Sequence, residues 1–487
     1  VPFWNLFAKN HKIYLDREAI LQVMVTRGKE TMHHQSIGIN ERPSLGKWIL
    51  LSLQHVFAMF SATILVPLLT GLSPSVALFT SGLGTLLYIF ITKGRVPAYL
   101  GSSFAFIAPL ISISSSPAFG PSYAMGAAFV VGLLYALVAG LIKLFGNRWI
   151  HRILPPVVIG SVIIVIGLSL SPVAMGQVFY LNNEFSIHAT LIALITLSTA
   201  IVFSVVLKGF FTVIPILMAI IVGYLSTLLL GSIDSTFALI AFEGVREAAW
   251  LSFPTLVRLD FDVVPISIFL VVSLATISEH LGDTLVIGRV VGKNIYEDPG
   301  LHRTLLGDGL ATSLAAIFGG PPNTTYGENV GVMAISRVYS VWVIGGAAVI
   351  ALGLSFFNKF GALIQTIPSP VMGGITMVLF GIIASAGIRT LVESGVDYGH
   401  KRNLIISSVI LVIGIGGGSL SLSTGDGLGF TISGVALATL VGVILNLVLP
   451  DIDKEVIEEQ KEIEAERVAD AARAAVRESP ECCVDGE

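Results

Sequence analysis

Charge is what this sequence lacks most. Only 12% of its 487 residues are Asp, Glu, Lys or Arg, and mean hydropathy is +0.85. A soluble domain carries about 25% charged residues, so a water-facing surface of this size cannot be built from these. Cysteine is equally scarce. Cys482 and Cys483 sit side by side in a polar tail. Adjacent cysteines rarely bridge without strain, so no disulfide framework is expected and the two read as free thiols. No His-x-x-x-His pair, Cys cluster or Ser–His–Asp set falls on facing apolar segments. An enzyme, a cofactor and a metal centre are therefore not expected. The net charge of -4 points to no charged partner, and none of nucleic acid is expected. No signal-peptide pattern precedes the first apolar run. Val stands at position 1, so a translation start upstream of it is expected.

Long apolar runs are abundant. A helix needs about 20 apolar residues to cross about 30 Å of hydrocarbon. Such runs fall near 48–69, 75–92, 98–116, 122–144, 156–175, 187–207, 212–230, 264–288, 304–319, 323–338, 340–357, 370–388, 403–418 and 430–449. That predicts an all-α polytopic membrane protein of fourteen segments. Residues 1–46 read as a cytoplasmic arm with a short amphipathic helix near 13–25. Residues 231–262 read as an extracytoplasmic loop carrying a surface helix near 243–250. Residues 451–487 read as a cytoplasmic tail whose Glu/Ala/Arg/Lys-rich part, 451–478, is a solvated helix.

The basic residues test this count through the positive-inside rule. With the N-terminus inside, the inner loops hold Lys93, Arg95, Lys143, Arg148, Arg152, Lys208, Arg289, Lys293, Arg303, Arg337, Arg389, Lys401 and Arg402. The outer loops hold only Arg246, Arg258 and Lys359. A missed segment would scramble that alternation. Both termini are thus expected in the cytoplasm.

The two halves also echo each other. Pro155-Pro156-Val157-Val158-Ile159-Gly160 matches Pro368-Ser369-Pro370-Val371-Met372-Gly373. Upstream, Ser102-Ser103-Phe104-Ala105-Phe106 matches Thr324-Thr325-Tyr326-Gly327-Glu328, and Gln54-His55 matches Glu279-His280. An odd number of segments per half requires opposite insertion, and inverted repeats with broken helices are a hallmark of secondary transporters. The 102–106 and 324–328 strings are poor helix, with Pro97, Pro109 and Pro321-Pro322 around them. Non-helical backbone at membrane depth persists only where protein or a cavity satisfies it. If the two strings extend and pair, a helix N-terminus follows each and offers free N–H groups.

Ionisable residues inside spans are informative because each costs about 2.5–3.5 kcal/mol at the bilayer centre. They are Glu279, His280, Asp283, Asp308 and Glu328. Glu279 and Asp283 are four apart and share a helix face. Two carboxyls so placed in a low-dielectric site can hold a proton between them at neutral pH. His280 points about 100° away from Glu279. Asp308, near the start of its span, reads as a helix-packing or interfacial residue rather than a functional one. His55 is equally divided between packing glue and a role beside the site.

The string Glu328-Asn329-Val330-Gly331, followed after four residues by Ser336-Arg337, resembles the signature of the nucleobase–ascorbate transporter family, the nucleobase:cation symporters. Ser336 stands where that family has Thr. Gln54-His55, the 97–106 string and Asp298-Pro299-Gly300-Leu301-His302-Arg303 resemble its bacterial uracil permease branch. The resemblance runs from about residue 41 to 449.

It implies two inverted repeats of seven segments. Residues 47–145 and 263–358 would form a core domain, and 146–230 and 359–450 a gate domain. Short antiparallel strands in segments 3 and 10 would build the site. Transport would be uracil import by proton symport, through an elevator-type movement of core against gate, in a homodimer in the plasma membrane. Glu279 and Glu328 would bind the base through their side chains, Tyr326 and Gly327 through backbone, and Phe104 through backbone and ring. His55, Glu279, Asp283, Glu328 and Asn329 would couple or support proton movement. One departure matters: this branch commonly has a histidine where Asp283 stands, so a proton route through that histidine is not carried over.

Uracil suits these residues on chemical grounds. It offers two N–H donors and two carbonyl acceptors on a flat ring. Carboxylates accept strongly from N–H, backbone N–H groups can donate to the carbonyls, and an aromatic face shields the ring. Xanthine or thymine transport is the rival within the class. An anion transporter or channel of the same fold is the rival outside it; such sites favour a cationic residue, whereas this one has two glutamates and no Lys or Arg at its centre.

Overall fold

The computed structural model describes residues 36–207, 214–423 and 429–450. The expected amphipathic helix near 13–25, the tail helix over 451–478 and Cys482/Cys483 lie outside the described residues. Among those described, eight helices are long and apolar enough to cross a membrane, and three shorter apolar helices accompany them. The protein is an all-helical membrane protein with small strand pairs.

Helix α1 (Leu45–Thr70) ends at Gly71, whose φ of 73° gives the left-handed turn an L-residue resists. Ser73 then caps α2 (Pro74–Ile91), with Pro74 at the first position, where a missing N–H costs nothing. Strand β1 (Leu100–Ser102) follows, then a 3₁₀ turn, Phe104–Phe106, and the short helix α3 (Ile107–Ser114). Next come α4 (Pro121–Phe145), α5 (Pro156–Leu168, resumed at Ser171–Phe179), α6 (Ile187–Ile201) and α7 (Pro215–Ile233).

The second half starts with α8 (Val263–Val291). Its N-cap, Asp262, accepts from Val264 N–H at 2.9 Å. Then come α9 (Leu301–Ile317), β2 (Asn323–Thr325), α10 (Gly327–Ser336), α11 (Val341–Ser355), α12 (Ser369–Glu393), α13 (Lys401–Ile415) and α14 (Gly434–Val448). The last expected run, 430–449, begins as the second strand of a hairpin pairing 419–423 with 429–433, and turns helical only at Gly434. The loop helix is shorter than expected, Glu243–Glu247.

Helices α1, α2, α4, α9 and α11 pack on one another. A second packed group comprises α5, α6, α7, α12, α13 and α14, and α8 runs between the two, touching α4 on one side and α5 and α14 on the other. Lipid tails are as apolar as side chains, so close backbone approach rather than water exclusion holds such helices. A Cβ on Gly132 of α4 would run into Ser313 and the carbonyl of Gly309 on α9. In the other group, a Cβ on Gly387 of α12 would lie 2.6 Å from the Gly160 carbonyl of α5. At the exposed ends of α8 and α12, Arg289 pairs with Glu393 at 2.6 Å.

Candidate functional site

The site is organised by β1 and β2, which pair antiparallel in the middle of the helices. Leu100 faces Thr325, Gly101 faces Thr324 and Ser102 faces Asn323. This register lies upstream of the expected one: most of the 102–106 string forms the 3₁₀ turn, not the strand. The ladder stops for a covalent reason. Ser103 N–H donates to Pro322 O at 2.8 Å, but Pro322 has no N–H to return. At the other end, Tyr326 N–H donates to Tyr99 O at 3.0 Å, and the chain then turns into α10.

Hydroxyls from flanking helices serve the outer edges of the strand pair. From α2, Ser81 donates to Leu100 O at 2.8 Å and Thr85 accepts from Leu100 N–H at 2.9 Å. From α9, Thr312 donates to Asn323 O at 3.0 Å and accepts from its N–H at 3.2 Å. Polar side chains thus replace the water that a soluble strand pair would use, as buried backbone requires.

Tyr326, Gly327 and Glu328 form the point where β2 becomes α10, and Asp283 and Glu279 approach it from α8. Asp283 accepts from Thr325 Oγ1 of β2 at 2.8 Å, which ties α8 to the strand pair. Glu279 lies one turn earlier, and the charges acting on it come from Asp283, Asp308 and Glu328. Its Oε2 is buried beside the Thr324 hydroxyl and makes no well-aligned hydrogen bond among the described residues. Glu328 is the second residue of α10, where the free N–H groups of a helix start favour negative charge. Gly327 is exposed, and a Cβ placed on it would meet nothing within 4 Å. Open volume therefore adjoins the helix start.

Tyr326, expected to contribute backbone to the site, has its N–H engaged within the strand pair. Its N–H is committed to Tyr99, and its hydroxyl donates to Ser102 O at 3.2 Å while accepting from Thr63 at 3.3 Å. Its ring lies over Gly101, where a Cβ would sit 2.5 Å from ring carbons. The Phe104 ring is buried and meets Phe380 of α12 edge-on at 6.2 Å. His55 and Asn329 are both buried, one behind the other: Asn329 Nδ2 lies 3.1 Å from His55 Nδ1 and donates to His55 O at 3.2 Å. They brace α10 on α1.

At the far end of α10 the remaining signature residues terminate the helix. Arg337 takes φ 57°, and Ser336 Oγ accepts from Val338 N–H at 3.3 Å. Serine in place of threonine keeps the hydroxyl that makes this bond.

Two features escaped the sequence reading. His280 is turned away from Glu279, as its position requires, but into a fully buried pair: Nδ1 lies 3.0 Å from Asp308 Oδ2, and Nε2 3.0 Å from Thr304 Oγ1. A polar residue inside each of two spans was the available signal, though nothing in the string showed that they meet. Phe380 left no signal, since it is one apolar residue in an apolar helix. The site therefore has several carboxyls on one side of a short strand pair, an aromatic wall reaching to α12, and open volume at a helix start.

A family profile described as a permease family matches residues 46–421. The chain belongs to this permease family. Among its relatives, the uracil permease of Bacillus caldolyticus is 50% identical over 428 residues, covering 86% of this chain and 96% of that protein. The uracil permease of Escherichia coli (strain K12) is 44% identical over 420 residues, covering 86% and 94%. The permease is also similar in fold to the transmembrane domain of a cyanobacterium bicarbonate transporter (TM-score 0.59, 16% identity, 83% of this chain and 97% of that one). The murine solute carrier 26 member A9 anion transporter in the inward-facing state is similar too (TM-score 0.60, 12% identity, 91% and 73%). At those identities the likeness concerns fold alone. As a permease the chain is a transporter, not an enzyme.

Proposed function

We propose that this permease imports uracil together with protons. The observation that carries the reading is the open volume at Gly327, with Glu328 next to it in α10 and the buried Glu279 close enough to feel the Glu328 charge. The names of the 44–50% identical relatives support the choice of base. Uracil's N–H groups would be taken by Glu279 and Glu328, and a carbonyl by the free N–H groups at the start of α10. Phe104 covers the ring. A base lacking a matching N–H would leave a buried carboxylate unpaired and be rejected. Several carboxyls facing a neutral ligand are costly unless a proton joins them, and this links substrate loading to proton uptake. Glu279 carries that proton, Asp283 shares it, and His55 with Asn329 holds the helix start in place.

In this reading the chain has fourteen segments in two inverted sevens, with cytoplasmic termini, in the plasma membrane. Residues 47–145 and 263–358 form a core that moves against a gate of 146–230 and 359–450 as an elevator, and gates pair in a homodimer. The two packed helix groups support that division. The fold likeness to anion transporters does not extend to their ligands, because the charged groups gathered at this site are carboxyls. The test is uptake of labelled uracil into proteoliposomes across a pH gradient, with xanthine, thymine and other bases as competitors. Uptake driven by an inward proton gradient and displaced by uracil first is expected. Preferential displacement by xanthine, or uptake indifferent to the gradient, refutes the reading.

A further inference from the structure

Apart from the substrate site, the described residues line a half-open apolar cavity of about 430 Å³ between α1, α7 and the short helix Asn358–Gln365. Val56 and Phe60 of α1, Leu217, Ile221 and Leu225 of α7, and Phe360 form much of its wall. Phe60 and Phe360 meet at 5.6 Å between ring centres and close one end. No polar surface opens into it. The one hydroxyl on its wall, that of Tyr224, is already paired with Thr366 Oγ1 at 2.7 Å.

These features choose the occupant. Water needs two to four polar partners and finds none, and an apolar cavity of only about 150 Å³ already stays dry and takes up hydrocarbon. A nucleobase would bury its N–H and carbonyl groups unpaired. The mouth is continuous with the lipid-facing surface of α7, where Ile221 is 41% and Leu225 50% exposed. Val56 and Phe60 lie near the middle of a 26-residue helix, so the cavity sits at acyl-chain depth rather than among headgroups. We infer that the cavity is a binding site for one acyl chain of a membrane phospholipid, inserted between α1 and α7.

The site has a neighbour that matters. Helix α1 also carries His55, whose partner Asn329 belongs to α10, so a chain seated against Val56 presses on the helix that braces the substrate site. Under the core-and-gate division, α1 and α7 lie on opposite sides of the moving boundary, and an occupied cavity ties transport to lipid composition. That consequence rests on the division proposed above; the binding does not.

The experiment uses the full chain in vesicles containing phosphatidylcholine with a photoactivatable diazirine near the middle of one acyl chain, followed by peptide mapping. Adducts concentrated on the α1 and α7 peptides that line the cavity are expected, in excess of those on the lipid-facing Leu191 and Leu194 of α6. Ile220→Trp, which fills the cavity, should abolish the excess and leave the α6 adducts unchanged. If that variant fails to fold, Ile364→Phe fills the cavity from the opposite wall. Free uracil should change the labelling at most in extent and never displace it to the density found on α6. Adducts no denser than on α6, adducts that persist when the cavity is filled, or displacement by uracil would each overturn the inference.

Discussion

The same substitution, glycine to alanine, should have opposite consequences at two positions on either side of the strand pair. At Gly101 a Cβ would sit 2.5 Å from the Tyr326 ring, well inside contact distance. The ring cannot swing away freely, because its hydroxyl is held by Ser102 and Thr63 and its backbone by Tyr99. Overpacking of this kind costs about 1–3 kcal/mol, so Gly101→Ala should lower the unfolding midpoint. At Gly327 a Cβ meets nothing within 4 Å, and the residue is not among those with positive φ. Gly327→Ala should fold as well as the parent, or be more stable by about 0.4–1 kcal/mol through reduced freedom of the unfolded chain. Its new methyl group, however, stands in the volume assigned to uracil. Leaving a buried N–H of the helix start unpaired would cost about 1–3 kcal/mol, roughly five- to a hundredfold in affinity. Thermal unfolding in detergent reads the first effect, and the half-saturating uracil concentration in proteoliposomes reads the second. Unchanged uptake affinity in a well-folded Gly327→Ala protein would remove the helix start from the substrate site. A Gly101→Ala protein as stable as the parent would contradict the packing of Tyr326.

Glu279→Gln should abolish or strongly reduce gradient-driven uracil uptake and flatten its pH dependence, and wild-type rate with unchanged pH dependence would sink the coupling role. Thr325→Val removes the 2.8 Å bond to Asp283; a typical hydrogen bond is worth about 0.5–1.5 kcal/mol, so uptake should fall while Thr325→Ser restores it. Asp308→Leu leaves the buried His280 Nδ1 without its partner, at a cost of about 1–3 kcal/mol, whereas replacing both residues by leucine should recover much of the loss; equal thermal stability of the single and double variants would refute the pairing.

Much of the architecture was legible in one dimension, and the residues explain why. Spans betray themselves because a bilayer demands about twenty apolar residues whatever the neighbours do. Glu279 and Asp283 could be placed on one face because helical spacing is local. The break at 324–328 was visible in its own poor helix formers, and α10 starts at Gly327. Strand register was not legible. It depends on Pro322 lacking an N–H opposite Ser103, and on hydroxyls of α2 and α9 reaching the strand edges from elsewhere in the chain.

By itself, then, the sequence determined that the chain lives in a membrane, where its helices run, and which ionisable residues are too costly to be there by accident. These follow from solvent and from covalent geometry, which act on each segment alone. Tertiary structure decided which of those residues meet. It put Asp283 on Thr325, turned His280 to Asp308, set Asn329 on His55 and left Gly327 facing open space. Those pairings join segments far apart in the chain, and a buried polar group takes whichever partner the packing of helices brings within about 3 Å.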